Sequence, residues 1–82
     1  MKSKIFNYTV ILKKEAEGGY TVIVPTLPGC ITYGKNVEEA KKMAIEAIEL
    51  YLENLRDHDE EIPEENGTLY AQVSVTPSFT NA

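Results

Sequence analysis

The sequence has few of the residues that carry catalytic and cofactor chemistry. Its 82 residues include one cysteine, Cys30, one histidine, His58, and no tryptophan. One cysteine cannot form an internal disulfide, so a reducing compartment is the simplest interpretation. No Cys/His cluster has the spacing of metal ligands, and the cysteine has no histidine near it in sequence to act as a base. We therefore predict no catalytic residue, no metal site and no cofactor, and a protein that is not an enzyme.

Long hydrophobic runs are also missing. No stretch approaches the ~20 apolar residues of a membrane span. The apolar run that follows the basic N-terminal residues is interrupted by Asn7 and Thr9, unlike that of a secretory signal. We expect a cytoplasmic protein with no membrane contact. The length predicts a single domain, placed at residues 1–77, with a frayed tail at 78–82. A domain this small buries only ~60% of its unfolded surface, so self-association would add stability.

Positive charge is scarce relative to negative charge. Eight Lys and Arg stand against 13 Asp and Glu, for a net charge of −5. Six of the acidic residues crowd residues 57–65: Asp57, Asp59, Glu60, Glu61, Glu64 and Glu65. Such a surface repels phosphate, so direct nucleic-acid binding by this chain is disfavoured, and a basic partner would be attracted. The alternative is that these charges only keep a small protein soluble.

What the sequence does contain is a series of short alternating segments broken by turns. Residues 5–14 and 20–24 alternate as strands do, and the Gly18-Gly19 pair between them indicates a hairpin. Pro25 ends the second strand because proline donates no N–H, and residues 26–29 form a rigid turn. Residues 30–33 are a third short run, predicted to fold back beside the second. These segments predict a three-stranded antiparallel meander.

The longest periodic segment predicts a helix from about Val37 to Arg56. Asn36 is a favourable N-cap, and Glu39 can complete a capping box. One apolar stripe recurs at spacings of three and four, which suits packing on a sheet. Ile45 and Leu52 lie outside that stripe, and we predict them as oligomer contacts, with boundary packing as the alternative.

The last segment with clear alternation predicts a strand at residues 69–75. Leu69, Ala71, Val73 and Val75 alternate with the more polar Tyr70, Gln72 and Ser74, and Pro77 ends the run. The predicted order is therefore β-β-β-α-β: an α+β fold of two layers, with one helix across one face of an antiparallel sheet. Tyr70 and Gln72 lie on its outward face and are candidate partner contacts.

Residues 20–63 closely resemble the HicB family of type II antitoxins, in particular its short single-domain members. The pattern is a strand, Pro-x-Leu-Pro-Gly-Cys, a short run to a glycine, a Glu-Glu-Ala helix start and Leu-Tyr-Leu near the helix end. The positions that match and that we interpret as mainly structural are Pro25, Leu27, Pro28, Gly29, Cys30, Gly34, Glu39 and Ala40; Glu38, Leu50, Tyr51 and Leu52 also match.

The resemblance implies a partly reduced ribonuclease-H-like domain without catalytic carboxylates. Proteins of this kind bind and neutralise a small basic HicA-type mRNA interferase, and they tend to form homo-oligomers, here a dimer or tetramer. Many of them carry a C-terminal DNA-binding segment. None is visible in the about seven residues after the last predicted strand, so we expect no DNA binding by this chain.

The candidate toxin contacts are five residues of the acidic segment and the last strand: Asp57, Glu60, Glu61, Tyr70 and Gln72. The alternative function is a stand-alone oligomeric HicB-like protein with an unrelated structural or small-ligand role, the ligand binding near Cys30 and His58.

Overall fold

The computed structural model describes residues 4–79, in which three short strands precede one long helix. The strands are β1 (Ile11–Lys14), β2 (Tyr20–Ile23) and β3 (Ile31–Gly34), and the helix is α1 (Val37–Asp57). The strands form one antiparallel sheet in the order β1-β2-β3, and α1 packs on β3 and β2. The predicted α+β fold, with one helix on an antiparallel meander, is confirmed. No helix among these residues is long and apolar enough to cross a membrane.

The first hairpin forms at the predicted glycine pair. Lys14 lies opposite Tyr20, and the turn between them is closed by two 3.0 Å backbone hydrogen bonds between Glu15 and the two glycines. Gly18 and Gly19 have φ of 108° and 79°, values that residues with a side chain rarely adopt. Tyr33 from β3 donates its hydroxyl to the Gly18 carbonyl at 2.9 Å, so the third strand also holds this turn.

Three backbone hydrogen bonds close the corner between β2 and β3. Val24 donates to the Cys30 carbonyl, Leu27 to the Val24 carbonyl and Cys30 to the Leu27 carbonyl, at 2.9–3.1 Å. Their side chains form a buried cluster in which Leu27 is fully inaccessible to solvent. The corner thus contributes core residues as well as reversing the chain.

The helix begins and ends close to the predicted residues. The Asn36 side chain accepts the Glu39 N–H at 2.8 Å, and the Glu39 carboxylate accepts the Lys35 N–H at 2.8 Å. The capping box therefore forms, with its return bond one residue earlier than the usual N-cap N–H. At the other end His58 caps the helix, and its ring Nδ1 donates to the Asn54 carbonyl at 2.8 Å.

The predicted first strand is longer than the observed one. β1 begins at Ile11, whereas the alternation began at Ile5. Beyond Ile23, the partner of Ile11, the second strand soon meets Pro25, which has no N–H to contribute to a ladder. Thr9 donates its backbone N–H to the Glu65 side chain instead. Residues 5–10 therefore lie beside the sheet without strand pairing.

The strand predicted at residues 69–75 does not form in this chain. Residues 68–76 have no strand partner, and Leu69, Val73 and Val75 are 90%, 86% and 78% exposed. Alternation shows that a segment suits a pleated sheet, but it does not show which edge the segment joins. Of the tail predicted at 78–82, residues 80–82 lie outside the described residues.

Candidate partner-binding surfaces

The acidic segment, residues 57–65, has two parts. We call residues 57–61 its exposed half and residues 63–65 its anchored half. Its exposed half directly follows the helix, where Asp59 reverses the chain with a φ of 55° and Glu60 donates its N–H back to the Leu55 carbonyl at 2.9 Å. Asp57, Asp59, Glu60 and Glu61 are all exposed. Asp57 contacts the neighbouring Arg56, whereas the Glu60 and Glu61 side chains form no hydrogen bond or ion pair within residues 4–79. This half presents its carboxylates to solvent.

The anchored half is held by Glu64 and Glu65, which contact residues outside the strands. The Glu65 carboxylate accepts the Thr9 N–H at 2.8 Å, the Thr9 hydroxyl, and the Thr26 hydroxyl at 2.8 Å. These hydrogen bonds, first those from Thr9, lower the pKa of Glu65 below its usual value. A hydrogen bond and the positive charge of Lys4, 2.7 Å away, lower the pKa of Glu64 in the same direction. Both carboxylates thus stay ionised and fix the segment.

Tyr8 adds a third attachment between this segment and residues 4–10. Its hydroxyl donates to the Pro63 carbonyl at 2.6 Å. Burial raises the pKa of Tyr8, and the negative charges of Glu64 and Glu65 raise it further. The phenol therefore keeps its proton and remains a donor. No single pattern in the sequence indicates these contacts, because they join residues 39 to 60 positions apart.

A groove runs between residues 4–12 and the helix. Its volume is about 740 Å³, and Val10 and Leu12 line one wall while Ala44 and Ile48 line the other. Ile45 and Leu52, predicted as oligomer contacts, both line this groove, and Ile45 is 59% exposed. The lining of the groove is mainly apolar and also includes Lys4, Asn7, Lys41 and Glu49.

The structure does not bring all the predicted contact residues together. Asp57, Glu60 and Glu61 cluster at the end of the helix, whereas Tyr70 and Gln72 lie on the unpaired residues 68–76. Cys30 is buried in the corner, and burial raises the pKa of its thiol, which disfavours the nucleophilic thiolate.

His58 lies exposed at the helix end and belongs to different surroundings from Cys30. The two residues therefore do not share a site. Among the described residues, no group of three His, Cys, Asp or Glu side chains is arranged to hold a metal ion.

Comparison with known proteins identifies the family. The profile of the HicB-like antitoxin of bacterial toxin-antitoxin systems matches residues 8–82. The chain belongs to this family. It is 51% identical over 59 residues to a UPF0150 protein of Thermoplasma acidophilum, covering 72% of this chain and 86% of that relative. A UPF0150 protein of Synechocystis is 46% identical over 63 residues, covering 77% and 80% of the two chains.

One similar protein carries the antitoxin name itself. Antitoxin HicB 1 of Photorhabdus laumondii is 38% identical over 60 residues, which cover 73% of this chain and 39% of that relative. This HicB-like chain thus matches about two fifths of the length of the named antitoxin. Membership of the family points to a role in a toxin-antitoxin system.

The motif of the HicB-like chain has a clear structural basis. Leu27 and Cys30 are buried in the corner, Gly29 has a φ of 82°, and the Pro28 carbonyl accepts the Tyr51 hydroxyl at 2.7 Å. Gly34 lies directly against the start of the helix, where a Cβ atom would come within 2.9 Å of the Ala40 Cβ. These positions build the scaffold, and they lie apart from the exposed carboxylates.

Proposed function

We propose that this HicB-like protein binds and neutralises a small basic HicA-type mRNA interferase without itself catalysing a reaction. The observation that carries the proposal is the exposed half of the acidic segment, in a chain of the HicB-like antitoxin family. A basic ribonuclease that binds RNA presents positive charge at its active surface. An acidic surface can cover that charge and compete with the RNA for it.

Glu60 and Glu61 are the side chains best placed to make this contact. They follow the helix on a segment whose backbone is fixed at both ends, by the bond from Glu60 to Leu55 and by the attachment of Glu65 to Thr9 and Thr26. A segment ordered before binding loses less conformational entropy on association. Asp57, at the end of the helix, completes the group.

Tyr70 and Gln72 are proposed to extend this surface. Tyr70 is 45% exposed, so part of its ring is available to a partner. Tyrosine is frequent at binding hot spots because its ring is large and its hydroxyl remains able to hydrogen-bond. The contribution of these two residues to the binding surface depends on where residues 68–76 lie in the assembled protein.

The test uses a double charge reversal, Glu60→Lys with Glu61→Lys. The chain is co-expressed with a small basic HicA-type mRNA interferase, and growth and RNA cleavage are measured. We expect the wild-type chain to restore growth and the double variant to bind at least about tenfold more weakly, because like charges then face each other. The weakening should be larger at low salt, where charge is screened less.

The matched control reverses two exposed carboxylates elsewhere, Glu17→Lys in the hairpin turn and Glu46→Lys on the helix. It changes the net charge equally but leaves residues 57–65 intact. Equal loss of binding in both double variants would contradict the assigned surface. A wild-type chain that forms no complex and gives no rescue would contradict the antitoxin function.

The groove supports a second candidate, a structural or small-ligand role unconnected with a toxin. Its 740 Å³ and apolar walls are within the range of small-molecule sites. On this alternative, Leu52→Glu would abolish ligand binding or self-association without affecting any toxin. If the Leu52→Glu variant still restores growth in the presence of the toxin, the groove is not needed for neutralising the toxin. The two functions would then be separate.

A further inference from the structure

Residues 68–76 are an uncharged segment with an apolar face that contacts little of its own domain. Leu69, Val73 and Val75 are exposed to 90%, 86% and 78%, and Ala71 is exposed as well. The chain measures 59 Å along its longest axis with a radius of gyration of 16.5 Å. A compact chain of this length would have a radius of about 12 Å. The segment therefore extends away from the domain.

Strand β1 has an unpaired edge beside an apolar groove, which suits the apolar face of residues 68–76. β1 pairs only with β2, so its other edge is not paired within residues 4–79. Leu12 of β1 and Val10, which lies just before the strand, line the apolar groove opposite Ile45 and Ile48 of the helix. A strand added beside β1 would place every second side chain over this groove. An open edge next to an apolar groove is a template for strand addition.

We propose that residues 69–75 of one copy add to the β1 edge of a second copy, with Leu69, Ala71, Val73 and Val75 facing its groove. The two exchanges are reciprocal, so a dimer with two-fold symmetry closes with both grooves filled. The added strand then forms the dimer interface. Ile45 and Leu52 are dimer contacts because they line the groove that this strand covers.

Anchoring of the preceding residues favours a second copy over the chain's own edge. Glu65 is held by Thr9 and Thr26, and Pro63 by Tyr8, so the direction in which the chain leaves is fixed two residues before Gly67. From this anchor residues 68–76 run outward, and the groove of the same chain stays unoccupied. The segment has no charged residue, so its apolar face suits an apolar groove.

The first test measures mass in solution by light scattering during gel filtration. We expect the wild-type chain to be at least dimeric at micromolar concentration. Val73→Asp places a charge on the apolar face and should weaken self-association by at least about 100-fold. Ser74→Asp adds the same charge to the opposite face and should keep the wild-type mass. A monomeric wild type, or variants that behave alike, would overturn the proposal.

The second test asks which chain supplies the strand. In a Cys30→Ala background, one chain carries Ile45→Cys and another carries Val73→Cys, and the two are refolded together and treated with a short bismaleimide. We expect a cross-linked species with the mass of two chains. A control chain carrying Ser74→Cys in place of Val73→Cys should cross-link far less. If a single chain with both cysteines instead cross-links only within itself, the strand returns to its own sheet and the proposal is wrong.

Helix content measured by circular dichroism accompanies both tests. The substitutions in residues 68–76 lie outside the strands and the helix of the domain, so the helix signal should match the wild type. The cross-linking experiment does not use the Val73→Asp variant. It therefore distinguishes strand exchange between two copies from pairing within one chain, even if that variant is poorly folded.

Discussion

At the scale of single residues, the glycine before the helix does the most to set the distance between the layers. Gly34 is the last residue of β3 and is buried against Ala40 in the first turn of α1. Glycine and alanine, both without bulk, let the helix lie directly on the strand. The sequence motif contains both residues, but only the structure shows that they face each other.

Gly34→Ala is therefore expected to separate the helix from β3. The new Cβ would meet the Ala40 backbone as well as its Cβ, and backbone atoms cannot rotate away as a side chain can. We expect a loss of about 3 kcal/mol in the free energy of unfolding, at the upper end for overpacking. Denaturation by urea, followed by the helix signal, measures this.

Gly29→Ala is the matched control. Nothing lies within 4 Å of a Cβ at Gly29, although its φ of 82° is unfavourable for alanine. We expect a loss of about 1 kcal/mol from the backbone conformation alone. If Gly34→Ala costs no more than Gly29→Ala, close contact with Ala40 is not what requires the glycine.

At the scale of elements, local patterns predicted the hairpin, the corner and the capped helix. Each depends on residues near one another in sequence, such as Gly18-Gly19 or Asn36 with Glu39. The first strand, predicted over residues 5–14, forms only at Ile11–Lys14. The strand predicted at residues 69–75 does not form within one chain. In both cases pairing depends on a partner edge that alternation does not identify. The attachment of Glu65 to Thr9 and Thr26 was not predicted, since carboxylates in an acidic run look alike in sequence.

The attachment of residues 63–65 predicts how stability depends on pH. The pKa of Glu65 is lowered in the folded protein, so its contribution is complete above the unfolded pKa of about 4.3 and is lost as pH falls through the lower folded value. Glu65→Gln should therefore be less stable than wild type at neutral pH, and the difference should narrow in acid. Urea denaturation at several pH values measures both.

Glu17→Gln provides the control because it removes one carboxylate from the exposed hairpin turn. It should lie close to wild type across the same pH range. A Glu65→Gln difference that stays constant down to about pH 3 would show that ionisation of Glu65 does not stabilise the fold.

At the scale of the whole molecule, the motif residues of the corner are separate from the exposed carboxylates and from residues 68–76. The motif residues build the corner and the helix contact, while exposed carboxylates, the groove and residues 68–76 face outward. Composition predicted an acidic surface and a tendency to associate, because both follow from residue counts and chain length. It did not predict that two of the six acidic residues in 57–65, Glu64 and Glu65, are bound by other residues of the same chain, because that depends on tertiary contacts.

The most direct measurement of the antitoxin proposal is RNA cleavage by a purified HicA-type mRNA interferase, titrated with this chain. We predict that cleavage falls to background at a fixed molar ratio, and that a complex of that composition appears by light scattering. The Glu60→Lys/Glu61→Lys variant should need at least about tenfold more protein for the same inhibition. Cleavage that continues undiminished at a large excess of folded wild-type chain would contradict the proposal.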